Sequence, residues 1–397
     1  MTATESPVSD QPINGGRINW RSALGDFLVA ALILLAADLL LFHAGLYFPL
    51  VEPDSYTGQR QRLALHYEEF TRGAEAAKDV VFLGNSMVGQ GIQERVVTAE
   101  LAAAGLASRA VNLGQGGSSP RSWYYILKNE EISGETTRLV VLGISPMALA
   151  TDKNQNIDLN ILKASITLND IPSLVGSLSG LETQLAAVHG LLLKSLLFRH
   201  DVRDLVLNPG ARRVAWAAER QKRANWSQHG RRNSSAVDLS SARLGPDGRL
   251  VQAELSPYLL SEPRLQERIE RRFHIVRRVA QRNPRPMKID PIHRKYLARI
   301  VERMNARGTV VAFAMVPGTP LPLPTRDTAA VVEFYETLKA DGYKVLLWND
   351  AEELDRLESR KYFLDMLHLN EDGADLYSAA LGRFVADYLA STERNMP

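Results

Sequence analysis

Two short segments about 280 residues apart hold side chains able to do acyl chemistry together. The first is Gly84-Asn85-Ser86-Met87 and the second is Asp365-Met366-Leu367-His368-Leu369-Asn370. A serine hydroxyl attacks a carbonyl poorly until a base takes its proton. A neutral imidazole is suited to that task, and a carboxylate beside it fixes its tautomer and steadies the imidazolium. An Asp three residues ahead of a His can supply that carboxylate within one short loop. Ser86, His368 and Asp365 are therefore candidates for nucleophile, base and acid. Each also has a plainer reading, since a serine after a strand is often a helix N-cap. A third segment, Asn112-Leu113-Gly114-Gln115-Gly116-Gly117, is rich in glycine. Such a loop can bring backbone N–H groups up to a developing oxyanion, or it can simply be a tight turn.

These segments need a scaffold, and the surrounding pattern describes one. Residues 79–83 read DVVFL, a short apolar run that stops at Gly84. A run of this kind suits a strand of a parallel sheet buried on both faces. Similar runs occupy 110–113, 139–142, 309–316 and 343–348. Helical stretches lie between and after them, at 54–78, 96–107, 122–129, 291–306, 331–340 and 372–389. Alternation of this sort predicts an α/β fold with a five-stranded parallel sheet covered on both faces. In such sheets ligands bind beyond the carboxyl ends of the strands. The notable loops fall there: 84–86, 114–117, 143–145 and 317–319. Asn370 is placed to cap the helix that starts near Asp372. Residues 151–290 break the pattern and read as a long, basic, partly helical insertion or cap, with a polar loop at 225–248. The core is then split into 51–150 and 291–397.

Taken together and in order, the three segments resemble those of the SGNH (GDSL-like) hydrolase superfamily. Gly84-Asn85-Ser86 is similar to its first block, with Asn85 where Asp is commonest. Asn112-x-Gly114-x-x-Gly117 is similar to its second block, whose last glycine offers an oxyanion N–H. Asp365-x-x-His368 is similar to its last block. The resemblance implies a flavodoxin-like α/β/α domain. It also implies a catalytic set of Ser86, Asp365 and His368, and an oxyanion- and substrate-binding set of Gly117, Ser145, Asn85 and Gly114. No metal or cofactor is expected. One departure stands out. Gly143-Ile144-Ser145 replaces the usual Gly-x-Asn, so a shorter hydroxyl stands where an amide would complete the oxyanion hole.

Composition narrows the setting. The chain of 397 residues holds no cysteine. That excludes disulfides, thiolate metal sites, iron–sulfur clusters and a cysteine nucleophile. Residues 27–50 (FLVAALILLAADLLLFHAGLYFPL) carry one formal charge, Asp38, over 24 positions. About 20 apolar residues cross a bilayer core, and a cleaved signal has a shorter apolar run. We read 23–50 as an uncleaved transmembrane anchor and 1–22 as a cytoplasmic tail, polar and disordered over 1–16. Arg17 and Arg21 precede the span, which places the N-terminus in the cytoplasm. Asp38 should be either protonated or paired with another membrane protein. The net charge of +2 conceals two basic stretches. Residues 199–232 hold nine Lys/Arg against three Asp/Glu, and 264–307 hold fourteen against four. These read as solvated faces or as a surface for phospholipid headgroups or an acidic polymer. Aromatic residues do not interleave with the charges, so no nucleic-acid partner is expected.

A single span followed by an exported domain of this type resembles proteins of alginate and cellulose acetylation and of teichoic acid D-alanylation. The implied function is serine O-acyl transfer, most simply O-acetyl transfer, to a cell-envelope polysaccharide. The implied partners are an acyl donor, the polysaccharide or a lipid, and a multi-span acyltransferase of the MBOAT class. The implied location is the inner membrane, with the catalytic domain in the periplasm. An esterase or lipase, or a catalytically silent polymer-binding scaffold, would use the same architecture.

Overall fold

The computed structural model describes residues 20–72, 79–130, 132, 135, 137–229, 239–240, 242–245, 247–282, 287–318, 328–365 and 367–394. Thr319, residues 230–238, Met366 and the tail before Trp20 lie outside them. The strands are β1 (Asp79–Leu83), β2 (Ala110–Asn112), β3 (Thr137–Ile144), β4 (Val310–Met315) and β5 (Val345–Trp348). They form one sheet in the order β2-β1-β3-β4-β5, and every pairing is parallel. Val80, Val81, Phe82 and Leu83 of β1 are all buried. Each such side chain removed from water is worth roughly 1.5–3 kcal/mol. That is why an uninterrupted apolar run settles in the interior of the sheet, with a strand on either side.

From β1 to β2 the chain steps toward one edge. From β2 onward it crosses to β3 and continues to the other edge. Right-handed crossovers then put helices on opposite faces before and after that reversal. On one face Glu94–Ala103 packs against Glu371–Arg394, and on the other Pro120–Asn129 packs against Pro291–Ala306. The crevice between the carboxyl ends of β1 and β3 is where such a sheet receives a ligand.

The stretch after β3 is helical, with Leu181–Leu192, Lys194–Leu207, Pro209–His229 and Pro263–Arg282 as its longest elements. The first part of the expected polar loop, 225–229, is the end of the third of these helices. A buried arginine ties the insertion to the core. Arg121, fully inside, donates to Asp158 at 2.8 Å, Asp152 at 2.5 Å and the Ser177 hydroxyl at 2.9 Å.

Ahead of the core, helix Trp20–Asp38 continues through a π-helical turn, Leu39–His43. Residues Leu24–His43 make one helix long and apolar enough to cross a membrane, with a mean hydropathy of 2.3 and side chains that are mostly exposed. The chain turns after His43, and Phe42, Tyr47 and Val51 pack on Phe198 of the insertion. Asp38 is buried, and its partners lie in the chain itself. Its carboxylate accepts the backbone N–H of Ser195 at 2.6 Å and of Lys194 at 3.2 Å.

Candidate active site

Ser86 is the first residue of a six-residue helix, Ser86–Gly91, that starts where β1 ends. Asn85 forms the N-cap, its side-chain oxygen accepting the N–H of Met87 at 2.9 Å. The far end of this helix is fixed by Asn112, whose amide donates to the carbonyls of Val88 and Ile92 at 3.0 and 2.9 Å. Ser86 is thus held by β1 below, a cap ahead and β2 behind.

The loop carrying Asp365 and His368 is pinned at both ends. Leu364 N–H donates to the His368 carbonyl at 2.8 Å, and Asn370 N–H donates to the Tyr362 carbonyl at 2.9 Å. The Asn370 side chain then caps helix Glu371–Arg394 by accepting the Gly373 N–H at 2.9 Å. This loop brings the His368 imidazole to Ser86, with Nε2 2.8 Å from the serine Oγ. The other ring nitrogen, Nδ1, lies 2.9 and 3.0 Å from the two Asp365 oxygens. An ionised carboxylate can only accept, so the proton of the neutral ring belongs on Nδ1. Nε2 then keeps a lone pair for the Ser86 hydroxyl proton.

Asp365 is wholly buried and ionised. Burial by itself pushes its carboxyl up. The hydrogen bond and charge of His368, the Arg268 guanidinium and the Leu367 N–H outweigh that and hold it well below the usual carboxylate range. Arg268 Nε donates to Oδ2 at 2.8 Å, while Leu367 N–H and His368 N–H donate to Oδ1 at 2.8 and 2.9 Å. Arg268 was not singled out as a site residue from sequence. It comes from the insertion helix Pro263–Arg282, with Arg272 and Ile275 on the same cleft-facing side. Their spacing of four and seven residues marks one helical face, yet nothing in it names the loop that this face meets.

The four other candidate positions divide. Gly117 has a φ of 74°, a conformation that suits glycine, and it lines the cleft beside Ile157. Gly116 lies next to Ser86, since a Cβ there would sit 3.9 Å from the serine Cβ. Among the described residues no acceptor takes the N–H of Ser86, Gly116 or Gly117. Asn85 also lines the cleft. Gly114 is instead buried below it. Its N–H donates to the Asn112 side chain at 2.9 Å, and a Cβ would come within 2.5 Å of the Gly89 nitrogen. Its smallness lets the second loop close onto the Ser86 helix. Ser145 follows β3 directly and is nearly buried, but it is not among the residues lining the cleft, whereas Met147 and Ala148 are.

The cleft has a volume of about 880 Å³, the size of a small-molecule site. Asp54, Lys153, Lys163, Arg268 and Arg272 line it, four cations against one carboxylate. Among the described residues no cluster of histidines and carboxylates is arranged to hold a metal ion. Comparison with models of protein families and with curated proteins finds no match to this chain.

Proposed function

We propose that this chain is a membrane-anchored serine O-acyltransferase of the SGNH type. It would move an acyl group, most simply acetyl, onto a cell-envelope polysaccharide on the far side of the inner membrane. The observation that carries the reading is the continuous hydrogen-bonded line from Ser86 through His368 to Asp365, set at the carboxyl ends of β1 and β3. The strand order, which is that of flavodoxin-like sheets, is further support. The helix Leu24–His43 supports an anchor, and Arg17 and Arg21 before it support a cytoplasmic N-terminus.

The chemistry follows from the geometry. Ser86 Oγ attacks the carbonyl carbon of an acyl donor as its proton passes to His368 Nε2. The carbonyl oxygen becomes an oxyanion beside the N–H groups of Ser86, Gly116 and Gly117. Collapse expels the donor's leaving group, which takes the proton from Nε2. A sugar hydroxyl then gives its proton to Nε2 and attacks the acyl-serine carbonyl; collapse breaks the bond to Ser86 Oγ, which takes that proton back from Nε2, and the sugar leaves as an ester. Asp365 stays ionised throughout and balances the imidazolium. With Arg268 paired to Asp365, the cleft keeps Lys153, Lys163 and Arg272, and these favour an acidic acceptor. An MBOAT-class partner would supply the acyl group at the membrane, and a tether raises the local concentration of such a donor.

The test is to supply an activated acetyl ester together with an acidic oligosaccharide and to analyse the products. Acetylated sugar formed faster than free acetate supports transfer. Free acetate alone, unaffected by the sugar, would make the protein an esterase. Neither product would leave the scaffold reading.

A further inference from the structure

We infer that the insertion helices Leu181–Leu192 and Lys194–Leu207 form a second membrane contact. They would lie in the lipid interface beside the span and hold the Ser86 cleft at the bilayer surface. The occupant of their outer face is lipid. The inference rests on reading Leu24–His43 as a span, and not on the acyl chemistry.

The first observation is an apolar face with no protein over it. Leu181, Leu185, Leu192, Leu193 and Leu196 are 41 to 70% exposed. On the first helix, Leu181, Leu185 and Leu192 are spaced by four and then seven residues, which is one stripe. The opposite side of that helix, at Ala187, Gly190 and Leu191, is buried against the protein. A water-facing helix would have reversed the leucines and the small residues.

The second observation is continuity with the span. The junction of the two helices is tied to the span's last turns. Asp38 accepts the N–H groups of Lys194 and Ser195, and His43 Nε2 lies 3.2 Å from the Leu192 carbonyl. Phe42 stacks on Phe198 with ring centroids 5.4 Å apart. Asp38 precedes the end of the span by five residues, or ~7 Å along a helix axis. Interfacial helices seat ~5–10 Å into the headgroup boundary, so the junction lies at that depth. Backbone N–H groups at such depth require an acceptor, and Asp38 provides one. A costly intramembrane carboxylate thereby has a structural reason. Beyond the junction the exposed face of Lys194–Leu207 carries Arg199 and Arg203 one turn apart, followed by the exposed Val206 and Leu207, a mixed cationic and apolar edge suited to an interface.

The third observation links this platform to the cleft. Lys163 lines the cleft, and its ammonium sits 4.7 Å from the centroid of Phe198. A donor delivered along the membrane surface would therefore meet the cleft without leaving the interface.

The absence of cysteine allows a direct test. The full chain carrying one of Leu185→Cys, Leu192→Cys, Leu32→Cys or Glu336→Cys is nitroxide-labelled and reconstituted into phosphatidylethanolamine–phosphatidylglycerol vesicles. Collision with oxygen and with a water-soluble nickel chelate then reports depth. We expect labels at 185 and 192 to favour oxygen several-fold over the label at 336, and the label at 32 to lie deepest. Labels at 185 and 192 as open to nickel as that at 336, with 32 still deep, would overturn the platform and leave the span. A label at 32 open to nickel would overturn the span and the inference with it. Labels at 185 and 192 shielded from both reagents in native membranes, yet open to nickel in pure lipid, would mean a protein partner and would also overturn it.

Discussion

Four N–H groups converge on Asp365: two from the backbone, one from the His368 ring and one from Arg268. Its folded pKa lies below the ordinary carboxylate value. Its contribution to stability and to site order is therefore present above that value, and it is lost only as pH falls through the depressed one. Asp365 accordingly sets no limb of the activity profile between pH 5 and 8 (~the range of ordinary assays). Replacement is another matter. Asp365→Asn should lower kcat by about 10⁴-fold, because the amide can hold the ring in the wrong tautomer. His368→Ala should lose at least about as much, and the double variant should lose little more, since the groups act as one unit. Arg268→Ala removes one charged donor, but that side chain is 40% exposed and screened by water, so kcat should fall by roughly 10-fold or less. Steady-state kinetics on an acyl ester would check all four variants. That Ser86, His368 and Asp365 meet could be expected from the sequence, because their types and order carry chemical meaning. Arg268 could not, because its role depends on an insertion helix folding over a loop 97 residues away. The position of Ser145 relative to the cleft depends on where the helix after β3 turns, and no residue type encodes that.

At the level of elements, the apolar runs of β1 and β4 and the helix Pro291–Ala306 were readable almost to the residue. Burial on both faces makes such a strand an almost unbroken apolar run, whose ends show in the sequence. Strand β3 extends beyond its apolar centre because Thr137 still pairs with Asp79 of β1, while Arg138 is passed over where the register shifts. The insertion helices were far less readable. Their apolar residues face both the protein and the outside, so no single stripe marks them. Asp79, the first residue of β1, gives an element-scale prediction. Burial raises its carboxyl to about 6 from 3.8, and Arg109 at 3.5 Å offsets only part of that. A carboxyl with a raised folded pKa contributes stability that is full below its unfolded pKa and is lost as pH rises through its folded pKa. The loss here is on the order of 2 kcal/mol between pH ~4 and ~6. The thermal midpoint in detergent should fall across that window for the wild type. Asp79→Asn should flatten the fall and be the more stable protein at pH 7.5. A larger fall in the variant would contradict the assignment.

For the whole molecule, the parts line up: a helix long and apolar enough to cross a membrane, helices gathered at its end, and a cleft one side chain further on. The proposed topology rests on Arg17 and Arg21 ahead of the apolar run. A C-terminal alkaline phosphatase fusion should be active and a C-terminal green fluorescent protein fusion dark. The reverse would exclude a cell-envelope substrate. The central claim is that Ser86 is a nucleophile activated by His368 and Asp365. It is tested most directly by treating membranes that hold the full chain with a fluorophosphonate and mapping the adduct by mass spectrometry. We expect one phosphonylated residue, Ser86, with labelling abolished in Ser86→Ala and strongly slowed in His368→Ala. An unlabelled wild type, or a Ser86→Ala protein that labels and turns over acyl esters as before, would contradict it.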